Sequence, residues 1–104
     1  MVFLNGEFIE KNKAFISVMD RGFLFGDGVY EVIPVYQGKI FRLNAHLKRL
    51  EHSLSAINIA NPYSAQDYLD ICKQLLSHTN EKNQSIYLQI TRGVAAQRKH
   101  ARST

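Results

Sequence analysis

At 104 residues, 45% hydrophobic and 21% charged, the chain is sized for one domain with a modest core and has the composition of an ordinary globular protein. It contains no run of about 18 apolar residues that would read as a membrane span, and Met1–Glu7 lacks the basic start of a signal peptide. The formal charge of +4 belongs to residues 92–104, where Arg92, Arg98, Lys99 and Arg102 meet no acid, while the other nine basic residues are matched by nine acids. A cationic end of this kind suits either a solvated tail or an arm that grips an anion. Nucleic acid is disfavoured as a partner, because no basic stripe with interleaved aromatics runs into the body. The single Cys72 rules out an internal disulfide and suits a reducing, cytoplasmic compartment. It falls on the apolar face of a predicted helix, where it reads as packing rather than as a nucleophile.

In chain order, Val2-Phe3-Leu4 and Glu7-Phe8-Ile9 flank Asn5-Gly6, a strong signal for a two-residue hairpin. Ala14–Ser17 predicts a further short strand. Asp20–Phe25 leads into a glycine-dense loop, with Gly22, Gly26 and Gly28 inside seven residues. Its order, G-x-x-x-G-x-G before a strand, is neither a dinucleotide fingerprint nor a phosphate-cradling P-loop. Such a loop is built for tight geometry, and Tyr30, two residues beyond, would project beside it. The strand Val29–Tyr36 turns at Gln37-Gly38 and returns as Lys39–Arg42. Pro34 has no N–H to give, which predicts a bulge or an edge position.

A helix is predicted from about Asn44, its N-cap, to Ile59. Leu43, Leu47, Leu50, Leu54 and Ile57 recur on one stripe, with His46, Lys48, Arg49 and His52 off it. Asn61-Pro62-Tyr63 breaks the helix. Ser64 caps a second one, with Asp67 placed for a capping box, and Tyr68, Ile71, Cys72, Leu75 and Leu76 form its apolar stripe. Last, Ile86, Leu88 and Ile90 alternate with Tyr87, Gln89 and Thr91. These elements predict an α+β domain, an antiparallel β-sheet with two helices packed on one face. The other face, bearing Tyr30 or Tyr36 and polar groups, is of a kind that meets a ligand or another domain.

Three blocks carry a resemblance: D-R-G-F-L-F-G-D-G-V-Y-E-V, then Y-Q-G-K-I-F-R-L-N-A-H-L-K-R-L, then I-Y-L-Q-I-T-R-G. Together, over about residues 1–100, the chain resembles the N-terminal domain of class IV (fold type IV) pyridoxal-phosphate aminotransferases. Branched-chain aminotransferases and aminodeoxychorismate lyases share the first two blocks. Tyr30-Glu31-Val32 and the closing T-R-G…R-x-H favour the D-amino acid (D-alanine) branch.

The resemblance implies residue roles. Arg49, in His46-x-x-Arg49, matches the arginine that binds the cofactor phosphate, for which a planar fork of donors is suited. Tyr30 matches a tyrosine of the substrate site. Arg98 and His100 match a pair that traps the substrate carboxylate across a homodimer interface. This chain reads T-R-G-V-A-A-Q-R-K-H where the family pattern is T-R-G-x-x-P-R-x-H, so one extra residue precedes Arg98 and the proline is missing. The resemblance places these groups around one pocket. It also implies a catalytic lysine in a second domain, since none of Lys11, Lys13, Lys39, Lys48, Lys73, Lys82 or Lys99 falls in a matching motif. No catalytic residue and no metal site are expected in residues 1–104 themselves.

The function so implied is that of the small domain of a pyridoxal 5'-phosphate-dependent D-amino acid aminotransferase, using D-amino acids and 2-oxo acids and inactive without its partner domain. The alternatives are a branched-chain aminotransferase domain, an aminodeoxychorismate lyase domain, and a non-catalytic interaction domain.

Overall fold

The computed structural model describes residues 1–94. Val2–Leu4 (β1) and Glu7–Ile9 (β2) pair as an antiparallel hairpin, separate from the main sheet. Its turn residues Asn5 and Gly6 both have positive φ, 49° and 86°, as a type I′ turn requires. Ala14–Ser17 corrects a sequence expectation: it is not a strand. A single 3-10 turn, Lys11–Lys13, precedes it, and Phe15 is left 80% exposed. β-favouring residues form a strand only beside a partner, and the described residues provide none here.

The glycine loop begins as a short helix, Arg21–Phe25 (α1), that sequence periodicity could not reveal in five residues. The Asp20 carboxylate caps it by accepting from the Gly22 N–H at 2.7 Å, and Gly26 at φ 64° stops it in the left-handed region. Gly28 then opens the central strand, Gly28–Tyr36 (β3). A Cβ there would stand 2.6 Å from the Ile90 carbonyl oxygen and 3.0 Å from the Thr91 Cα, so only glycine lets the two backbones lie this close.

β3 runs antiparallel to Lys39–Ile40 (β4) on one side and to Gln84–Thr91 (β5) on the other. Tyr30 stands opposite Gln89, Glu31 opposite Leu88 and Ile33 opposite Ile86. β4 pairs only with Val35 and Tyr36, after which the Phe41 N–H donates to the Pro34 carbonyl. Among the described residues, Gly28–Ile33 therefore has no strand partner on that edge. Pro34 is thus in the middle strand of the sheet. Its missing N–H falls on the same side as its carbonyl, where β4 is ending, and not towards β5.

Leu43–Ala56 (α2) starts one residue earlier than Asn44 and ends three before Ile59. Its N-cap is Arg42, at φ 55° and with no side-chain cap bond, so Asn44 sits within the first turn. Ala65–Leu76 (α3) has the predicted capping box between Ser64 and Asp67. Leu47, Leu50 and Leu54 of α2, Tyr68 of α3, Ile59 and Ile90 form the buried cluster, with Val29 and Leu88 packed against it. The helices thus cover the sheet face that carries Val29, Glu31, Ile33 and Val35. Cys72 is buried and burial pushes its thiol up, consistent with a packing role. No helix among the described residues is long and apolar enough to cross a membrane.

Candidate functional site

Strand alternation turns Glu31 inward, between Val29 and Ile33, and leaves it 5% exposed. An ionised carboxylate in that position requires donors. Two come from α2, three residues apart and therefore on one helix face. Arg49 donates from Nε to Glu31 Oε2 at 2.9 Å and from Nη2 to Oε1 at 2.8 Å. His46 Nδ1 lies 2.7 Å from Oε1, and because a carboxylate only accepts, Nδ1 carries the proton. The hydrogen bonds from Arg49 chiefly, then from His46, hold the Glu31 carboxyl below its ordinary value against the opposing cost of burial.

Arg49 reaches inward along one edge only. Its side chain is 67% exposed, and Nη1 makes no hydrogen bond among the described residues. Of the five N–H donors of a guanidinium, two face Glu31 and three remain, one each from Nη1 and Nη2 on the outer Nη1–Nη2 edge and the other Nη1–H beside Cδ. That edge matches the geometry of a phosphate or carboxylate.

Tyr30 leaves β3 by the opposite face. Its ring is 62% exposed and stacks on Tyr87, with centroids 5.5 Å apart and planes 11° from parallel. Arg49 and Tyr30, which the resemblance places around one pocket, thus lie on opposite faces of β3: consecutive residues of a strand point to opposite faces, and Arg49 is tied to Glu31. The unpartnered edge of β3 over Gly28–Ile33 is where the two faces adjoin. Arg98 and His100 lie outside the described residues.

Arg92, counted above with the basic end, is committed to the fold. It donates to Asp27 Oδ2 at 2.7 Å and to the Ile57 carbonyl at 2.6 Å, while Arg21 reaches the same Asp27 oxygen at 3.0 Å. This knot ties the loop after α1 to the end of β5 and the end of α2. A groove of about 770 Å³ runs along the outer edge of β5, lined by Phe3, Phe15, Tyr63, Ile71 and Leu88 among others. It is mainly apolar and does not include Arg49 or Tyr30.

Glu31 and Asp27 fix an acid limb for stability. Hydrogen bonds from Arg92 and then Arg21 lower the Asp27 carboxyl as Arg49 lowers that of Glu31. Each folded-state value lies below the ordinary one, 3.8 for Asp27 and 4.5 for Glu31. Their contribution is therefore full above about pH 5 and is lost as pH falls through the depressed values. Denaturation midpoints should fall as pH drops below about 5. The Glu31→Gln variant should show a shallower acid limb, and an unchanged limb would contradict a folded-state role for this carboxylate.

Glu31 and Tyr87 are not among the sequence-predicted site residues, Glu31 entering only in the branch-marking Tyr30-Glu31-Val32. The signal for Glu31 was present, as the one charged residue in the inward series Val29, Glu31, Ile33, Val35. His46-x-x-Arg49 named its partners.

The family model described as amino-transferase class IV matches residues 28–104. A D-alanine aminotransferase of Staphylococcus haemolyticus is 46% identical over 94 residues, 90% of this chain and 33% of the relative. One of Listeria monocytogenes is 39% identical over 99 residues, 95% of this chain and 34% of the relative. Among solved structures, the branched-chain amino acid aminotransferase from Escherichia coli superposes with a TM-score of 0.85 at 22% identity, covering 95% of this chain and 36% of that one. The chain spans about a third of the length of the curated relatives it matches.

Proposed function

The chain belongs to the class IV aminotransferase family, and from that premise we propose that it forms the cofactor-phosphate and substrate-binding part of a D-amino acid aminotransferase, with D-alanine as donor and 2-oxoglutarate as acceptor. The products are pyruvate and D-glutamate, so one amino group moves and the overall reaction balances. The observation that carries the proposal is Arg49: a guanidinium held on a helix by one edge, with its other edge open to a ligand.

Pyridoxal phosphate fits the residues present. Its phosphate is a dianion, and the outer edge of Arg49 offers donors in the planar arrangement that such a group accepts. When bound, the cofactor supplies the electron sink for cleavage at the α-carbon of the amino acid. Tyr30 borders the substrate on the other face of β3, its hydroxyl donating to the substrate carboxylate and its ring braced by Tyr87. Arg98 and His100 hold that carboxylate from the partner of a homodimer. Fixing the carboxylate decides which face of the α-carbon presents its hydrogen, and hence D rather than L. A ligand that meets both Tyr30 and Arg49 lies across the unpartnered edge of β3. The lysine that moves the proton belongs to a second domain.

The test is turnover. The 104-residue chain supplied with pyridoxal phosphate should release no pyruvate from D-alanine and 2-oxoglutarate, whereas a protein that joins it to a lysine-bearing domain should. Saturable turnover by the chain alone would refute the division of labour. A preference of the longer protein for L-leucine over D-alanine would move it to the branched-chain branch.

A further inference from the structure

We propose that Glu31 is a positioning residue for the anion grip of Arg49: it holds the guanidinium by its Nε edge, so that the Nη1–Nη2 edge is presented outward in a fixed orientation. The inference rests on the assignment of Arg49 to the cofactor phosphate and adds the residue that makes the grip rigid.

Three observations carry it. Glu31 is on the central strand and nearly fully buried, so the carboxylate is a fixed point rather than a mobile surface acid. Both of its oxygens are used by Arg49, and a two-point contact sets the plane of the guanidinium as well as its distance. His46 donates to Oε1, the oxygen already bound by Nη2, and so braces the carboxylate from the same helix that carries Arg49. Behind them α2 is anchored by Leu47, Leu50 and Leu54. A long arginine on an exposed helix face would otherwise sample many rotamers, and ordering it would oppose anion binding.

Positioning and simple charge balance predict opposite signs. Glu31 is an anion beside the group that binds an anion, so on charge alone its removal should tighten phosphate binding. If its role is to orient Arg49, removal should weaken binding. The probes are pyridoxamine phosphate and pyridoxamine, which differ by the phosphate and do not condense with lysines. Each is titrated into the 104-residue chain, following arginine Nε–Hε signals and backbone amides by NMR. The wild-type chain should prefer the phosphate-bearing probe. Glu31→Gln should cut that preference at least about fivefold and shift the Arg49 Nε–Hε signal towards the position of a free arginine, with pyridoxamine binding unchanged.

Should Glu31→Gln fail to give a folded amide spectrum, Glu31→Asp keeps the charge but withdraws it by one methylene, and it should cut the preference at least about threefold. A preference that is unchanged or raised in a folded Glu31 variant overturns the proposal and leaves the Arg49 assignment standing. An Arg49→Ala chain that retains the preference, or a wild-type chain that has none, overturns the Arg49 assignment and the proposal with it.

Discussion

Leu50→Ala should cost about 2 to 5 kcal/mol of folding free energy, measured as a lower denaturation midpoint with an unchanged slope. Leu50 is fully buried, on the stripe by which α2 meets the sheet, and truncating it leaves a cavity next to Leu54 and Ile90. Domains of this kind are stable by roughly 5 to 15 kcal/mol in total, so this one change removes a large share. Phe15→Ala, at an exposed position, should stay within about 0.5 kcal/mol of the parent. A Leu50→Ala chain no less stable than Phe15→Ala would contradict the core described here.

The second large effect is on binding. In a protein that joins this chain to a lysine-bearing domain, Arg49→Ala should weaken retention of pyridoxal phosphate about ten- to a hundredfold, the scale of losing hydrogen bonds to a charged group. Arg98→Ala should instead raise KM for D-alanine by a similar factor while the cofactor is retained. Dialysis followed by cofactor absorbance separates the two variants from each other. Equal cofactor loss in both would undo the separation of roles.

Much of the fold was legible in the sequence because the relevant signals are local. Asn5-Gly6 and Gln37-Gly38 both take the left-handed turns their composition demands. Ser64 and Asp67 cap α3 reciprocally, and the leucine stripe of α2 is the buried one. Errors arose where the outcome depends on what lies alongside. Ala14–Ser17 has strand composition but no neighbouring strand among the described residues. α1 has five residues, too few for a helical period to register. Pro34 predicts a bulge or an edge position, and it tolerates a central strand only because β4 stops there.

The site divides the same way. Arg49 and Tyr30 enter as candidates through the resemblance alone. The tie between Arg49 and Glu31 spans 18 positions and needed the register of β3 against α2. Strand alternation alone was enough to say that Tyr30 and Glu31 face opposite ways. What periodicity could not supply was that Arg49 follows Glu31, and that the two faces adjoin at an edge β4 leaves uncovered.

The decisive measurement is a crystal structure, with pyridoxamine phosphate bound, of a protein that joins this chain to a lysine-bearing domain. The phosphate oxygens should lie about 3 Å from Nη1 and Nη2 of Arg49, with Nε still on Glu31 and Tyr30 at the substrate end of the ligand. A phosphate held by other groups, with Arg49 directed into solvent, would contradict the account.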